Sequence, residues 1–307
     1  MVNTLLIASL CLIWGATWVV IKIGLSDAPP FYSAGFRFAV AALVLAVVVL
    51  LRRRAWPRDR RTLGWILLPG VFMYFGSYAA VYYAEQYINA ALASIIFSSF
   101  PFFVALGAHF YLPGERLSAR KVAGLIIGFS GIVVIFGDGL TRPTPELWWA
   151  MLIMLASPIS SAIASIMVKR HLTGEDPSTV NLLQMLVGVA ILFPFAMVTE
   201  QIDSLRWTPT FIGTVLFLGI LGSAYTFATY YHLLKTIEAT RMSLIAFVTP
   251  VVAAILGWLI LDERLRLSAI IGALLVFAGI YIVNVMAEKK PPARLKRFHQ
   301  TATRQAA

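Results

Sequence analysis

Along nearly the whole 307-residue chain, apolar residues come in blocks of about twenty separated by short polar stretches. A helix needs about that length to cross a hydrocarbon core of roughly 30 Å. The pattern predicts ten membrane helices, over residues 3–22, 32–51, 64–84, 90–112, 119–138, 146–169, 178–199, 210–234, 239–261 and 267–287. Chain breakers mark the gaps: Asp27-Ala28-Pro29-Pro30, Pro113-Gly114, Gly137-Asp138-Gly139, Asp176-Pro177 and Thr208-Pro209. No connection is long enough to fold as a soluble domain. The basic, Pro-containing segment 288–307 reads as a disordered tail. The fold class is all-α integral membrane.

Composition identifies the solvent. Charged residues make up 13% of the chain, about half the share in a soluble domain, and the mean hydropathy is +0.83. The formal charge of +11 sits in short segments between apolar blocks and in the tail, not in a basic domain interleaved with aromatics. A nucleic-acid partner is therefore not expected. With the N-terminus inside, nineteen of the 25 lysines and arginines fall in inner segments, five outside, and Arg37 within a span. By the positive-inside rule, both termini are cytoplasmic. The inner basic segments, 52–61 above all, suit anionic lipid headgroups. The N-terminus lacks the basic region and small-residue cleavage site of a signal peptide, so the first block is read as a retained span. The single cysteine, Cys11, excludes an intrachain disulfide.

The chain repeats itself. An offset of 149 residues places Tyr82 on Tyr231, Ser94 on Ser243, Ile96 on Ile245 and Pro101 on Pro250. After one gap, Glu115-Arg116-Leu117 falls on Glu263-Arg264-Leu265, and Gly124 and Gly131 fall on Gly272 and Gly279. Earlier in the chain Lys22 matches Lys169 and Pro30 matches Pro177. Residues 1–140 and 141–287 are thus two five-helix repeats. Five is odd, so the second repeat is inverted, a common plan of secondary transporters.

Ile13-Trp14-Gly15-Ala16-Thr17-Trp18, Arg37-Phe38 and the twice-used Glu-Arg-Leu resemble the drug/metabolite transporter superfamily. More narrowly, they resemble its EamA branch of bacterial inner-membrane metabolite exporters. The resemblance covers the chain to about residue 287. It implies a cavity framed by helices 1, 3, 4, 6, 8 and 9, with helices 5 and 10 as a scaffold.

Several residues could line such a cavity. Tyr74, Tyr78 and Tyr82 form an i, i+4, i+8 stripe on the third span. Interfacial anchoring accounts for Tyr82, Tyr83 and Tyr87, but a phenol as deep as Tyr78 wants a partner. Tyr225 and Thr229 repeat the pattern on the eighth span. Trp14 and Trp18 lie too deep for the interfacial belt. Their repeat partners are Ser161 and Ser165, which form a hydroxyl face with Ser157; small-residue packing is the alternative reading. Ser94 and Ser98 follow the same logic, with Pro101 and Pro250 expected to kink the helices nearby.

Ionisable groups at membrane depth are candidates for function. Arg37 could snorkel outward or pair with Glu85; the resemblance makes it a structural charge. Glu85 could carry a proton or a substrate amine, or simply be solvated. His109 could titrate near neutrality or serve packing. The first span has no acidic residue, unlike the proton-coupled small multidrug-resistance relatives. No metal-ligand spacing, phosphate loop or nucleophile motif is present, so neither a cofactor nor an enzymatic activity is expected. The reading is an exporter of small organic metabolites such as amino acids. Uptake of a nucleoside or sugar is the alternative, and a channel or membrane enzyme the distant rival.

Overall fold

The structure, a computed structural model, describes residues 2–54, 56–57, 59–136, 144–261 and 267–285. Among these residues ten helical spans follow one another: α1 Val2–Gly24, α2 Pro30–Leu51, α3 Arg60–Ala84, α4 Ala90–Phe97 continuing as Phe100–Tyr111, and α5 Ala119–Phe136. The second half holds α6 Pro145–His171, α7 Pro177–Thr199, α8 Pro209–Leu234, α9 Ala239–Ser243 continuing as Ile245–Leu261, and α10 Leu267–Val285. At 1.5 Å per residue, the 23 residues of α1 rise about 34 Å, enough to cross a bilayer. Large apolar side chains such as Leu43, Phe110, Trp149 and Leu274 are exposed on the outer surface, where lipid rather than water can accept them. Glu263-Arg264-Leu265 and the tail lie outside the described residues.

Local chemistry sets the helix starts. Proline opens α2, α6, α7 and α8, where a missing N–H costs nothing. Thr144, Asp176 and Thr208 cap three of these starts with their side chains. Pro29 cannot cap α2. Instead the Glu200 carboxylate, from the end of α7, accepts from the N–H groups of Phe31 and Tyr32 at 2.8 and 3.0 Å. At the other end of the same pair, Arg54 meets Asp176 at 3.5 Å.

The packing obeys the repeat. Gly124 and Gly279 let α5 and α10 touch backbone to backbone: a Cβ on Gly279 would lie 2.5 Å from the Gly124 carbonyl oxygen. The exchanged pair does the same, since a Cβ on Gly131 would lie 2.5 Å from the Gly272 carbonyl oxygen. α1 packs on α9, and α4 on α6, so each half closes on the other. The ends of α3 and α8 are held alike. Lys22 Nζ donates to the carbonyls of Glu85 and Ile88, and Lys169 Nζ donates to those of Leu234 and Ile237 at 2.5 and 2.8 Å.

Two departures from regular helix matter for the site. α3 and α8 each contain a π-helical segment, Val71–Ser77 and Ile220–Tyr225, at equivalent positions in the two halves. α4 breaks at Ser98–Ser99, just before Pro101, as expected for a ring that removes a helical hydrogen bond. In α9 the break falls earlier, at Leu244, and Pro250 lies within the second segment.

Candidate functional site

A cavity of about 70 Å³, counted as space open to water centres, lies between the halves and is lined from α1, α3, α4, α6, α8 and α9. That is room for a handful of waters. Its walls are mainly aromatic. Trp14 packs 5.5 Å from both Phe227 and Tyr230, and Trp18 packs 5.4 Å from Phe97. Among the described residues, no charged side chain lines it.

Most hydroxyls on this wall are already engaged. Thr17 donates to the Trp14 carbonyl at 2.7 Å and Ser243 to that of Thr240 at 2.7 Å. Ser161 donates to Ser77 at 2.8 Å, and Ser77 shares a further 2.8 Å bond with Ser157. The indole N–H of Trp14 is buried and has no partner among the described residues. A buried donor left unpaired costs free energy, which sets this indole apart from the engaged hydroxyls of the same wall.

Of the residues singled out in the sequence, Trp14, Trp18, Tyr78, Ser161 and Ser165 line this cavity. Ser157 stands one hydroxyl behind it. The others are elsewhere. Tyr74 turns to α7, where its hydroxyl donates to Asn181 at 2.8 Å. Ser94 is buried off the wall, and Ser98 ties α4 to α9 by donating to the Ala246 carbonyl at 3.0 Å. Tyr225 is on the outer surface, 2.9 Å from Ser9, and Thr229 is half-buried away from the cavity. The 149-residue offset gives the reason: Phe227, not Tyr225, takes the position of Tyr78. Two residues along a helix turn by about 200°, so Tyr225 and Thr229 share the opposite face. His109 is exposed and accepts from the Leu117 N–H at 3.3 Å, which fixes the loop into α5.

Missed residues include Thr17, Ser77, Phe97, Phe227, Tyr230 and Thr249. One signal was available. The 149-residue offset carries Tyr78 onto Phe227, and both line the cavity.

Arg37 neither snorkels nor pairs directly with Glu85. It is 1% exposed, donates from Nε to Ser223 at 2.8 Å and from Nη2 to the Gly222 carbonyl at 3.0 Å, and lies 4.6 Å over the Tyr78 ring. Gly222 and Ser223 belong to the π segment of α8, whose irregular backbone frees a carbonyl for the guanidinium. Tyr82 is fully buried beside this charge. Glu85 is also fully buried, and neither of its carboxylate oxygens has a hydrogen-bond partner among the described residues.

Ten spans in two inverted halves around a shared cavity define a membrane transporter. The EamA-like transporter family model matches residues 2–137 and again 148–285, and the chain belongs to that family. An uncharacterized transporter of Archaeoglobus fulgidus is 32% identical over 88% of this chain and 94% of its own length. Transporter YoaV of Bacillus subtilis, also uncharacterized, is 29% identical over 90% and 94%. A probable amino-acid metabolite efflux pump of Escherichia coli is 28% identical over 88% and 90%. A chain of known crystal structure shares the fold with a TM-score of 0.78 at 21% identity, over 94% of this chain and 98% of that one.

Proposed function

We propose that this transporter exports small neutral or zwitterionic metabolites, amino acids among them, across the bacterial inner membrane by alternating access. The cavity carries the reading. It lies on the interface of two inverted halves, has no net charge on its described walls, and presents aromatic faces with one unpaired indole donor. Such a wall favours an amphipathic solute over an ion or a phosphate ester. The amino-acid efflux pump among the relatives supports the substrate class.

In this reading the two five-helix units, 1–140 and 141–287, rock against each other, and α5 and α10 form the fixed seam. Trp14 Nε1 donates to an acceptor on the solute, Tyr78 offers its hydroxyl, and Phe97, Phe227 and Tyr230 hold the apolar part. The halves part to load it. Both termini are cytoplasmic, and the segment 52–61 lies against anionic headgroups.

Counterflow in liposomes tests this. Vesicles loaded with one unlabelled solute at a time should accumulate the labelled solute for at least one amino acid. Accumulation only with nucleosides or sugars would shift the substrate class. No counterflow with any solute, from protein shown to be folded, would remove the carrier reading.

A further inference from the structure

Because the fold repeats, each residue can be set beside the one that does the same structural work in the other half. Lys22 and Lys169 cap the ends of α3 and α8 identically. Near the α8 end, the positions equivalent to Arg37, Tyr82 and Glu85 hold Gln184, Tyr231 and Leu234. That set is neutral: the Tyr231 hydroxyl donates to Gln184 Oε1 at 2.8 Å, leaving only the amide Nε2 unpaired. Near the α3 end the same positions carry two opposite charges. Arg37 and Tyr82 lie against each other, whereas both Glu85 carboxylate oxygens are buried with no hydrogen-bond partner among the described residues. The repeat shows that a leucine serves the lysine cap as well as Glu85 does. The carboxyl is therefore surplus to the architecture, and its burial without donors is unfavourable.

We propose that Glu85 is a proton-binding site that sets whether the outer end of the transporter is open, an inference resting on the alternating-access reading above. The titratable and charged groups that bear on it are Lys22 from α1, Arg37 from α2 and Tyr82 from α3. α6, which packs on Tyr78–Ala84, carries Glu146 in its first turn, exposed, and the next segment in the chain, Ala90–Phe97 of α4, carries no charge. In the closed arrangement the carboxyl is dry and neutral, with the proton on one of its oxygens. When that proton passes to external water, the remaining carboxylate needs hydrogen-bond donors that the closed site does not direct at it. Parting of the α1 and α3 ends admits water and frees the Lys22 ammonium from its carbonyls as a counter-ion. Return of a proton from outside forms the O–H bond again and the end recloses.

The test uses the full chain in right-side-out vesicles, with Cys11→Ser to remove the native thiol. Ile21→Cys places a probe on the cavity wall, where Ile21 is 2% exposed. Its labelling by an impermeant methanethiosulfonate is divided, at each pH, by that of a Gln86→Cys surface control. Between about pH 5 and pH 8 the ratio should rise several-fold with Glu85 present. It should stay low and flat with Glu85→Gln, which mimics the protonated acid, and with Glu85→Leu, which installs the residue of the other repeat. Two variants guard against one that misfolds. An equal rise in parent and variants, or no rise in the parent, would overturn the proposal. Counterflow of a labelled amino acid by the parent at equal pH on both sides separates the two readings. Its absence speaks against transport, whereas counterflow with flat labelling speaks against Glu85 alone.

Discussion

The α5–α10 pair and the α3–α8 pair answer to the same approximate two-fold, yet they are built in opposite ways. α5 and α10 meet through Gly124 on Gly279 and Gly131 on Gly272, backbone against backbone, with helical geometry throughout their described lengths. α3 and α8 are interrupted at equivalent points by π segments and are held at their ends by single lysines. Tight packing makes a seam that stays put. An interrupted ladder with a polar anchor at its end makes an element that can bend. The cavity sits where bendable helices pass the midplane, not at the seam.

The largest expected effect comes from spoiling the seam. Gly279→Val puts branched carbon into the Gly124 backbone, and with even a Cβ at 2.5 Å from backbone atoms the overpacking exceeds the usual cost of about 1–3 kcal/mol. The variant should lose its folded peak in size-exclusion chromatography. Gly213→Ala, where an added Cβ meets nothing within 4 Å, should behave as the parent. If both behave alike, the seam is no more rigid than the rest.

Next comes an end anchor. Lys169→Met removes two hydrogen bonds from a charged donor to the carbonyls of Leu234 and Ile237. Bonds to charged groups contribute about 1.5–3 kcal/mol. The thermal midpoint in detergent should fall, and hydrogen exchange should quicken at the end of α8 while α5 stays protected. Uniform loss of protection would contradict the division into seam and bending elements.

Smaller effects are expected on binding. Trp14→Phe deletes the unpaired indole donor and keeps a ring; Tyr78→Phe deletes only a hydroxyl. Each should weaken an identified solute a few-fold to about tenfold, the range of one hydrogen bond of about 0.5–1.5 kcal/mol. Tyr225→Phe, on the outer surface, should leave affinity unchanged in the same isothermal titration.

The smallest effect is at the joint between the seam and the bending half. Glu115 lies before α5, is 6% exposed, and accepts from the N–H groups of Ala239 and Thr240 at the start of α9. Burial raises its pKa above the ordinary carboxylate value, outweighing those two donors, which lower it. A folded-state pKa above the unfolded one gives stability that is complete below the ordinary carboxylate range and is lost as pH rises through the raised value. The parent's thermal midpoint should therefore slope downward over that window, and Glu115→Gln should flatten the slope.

The sequence revealed the spans, the repeat and five wall residues, because apolar blocks and a fixed offset survive in one dimension. It did not reveal which way Tyr74 and Tyr225 point. Counting in fours from Tyr74 crosses a π segment that does not announce itself in composition, and Tyr225 stands two residues off the Phe227 position that the repeat equates with Tyr78. Lys22 and Lys169 were legible as a matched pair, but their carbonyl partners lie more than sixty residues away in the chain. Arg37 was singled out as a charge in the wrong solvent. Its partners, Ser223 and the Gly222 carbonyl, come from a backbone irregularity in the other half.

The crossing of α1 onto α9 and of α4 onto α6 also bears on how the chain is made. While a ribosome has delivered only the first five spans, α1 has no permanent neighbour on its α9 side and α4 none on its α6 side. Those faces must wait in lipid, or against an insertion chaperone, until the second half of the chain has emerged. Two genes encoding 1–140 and 141–307 would face no worse a problem. Each product would carry faces shaped for the other, and co-expressed halves should find one another in the membrane. Neither half made alone would enclose a cavity.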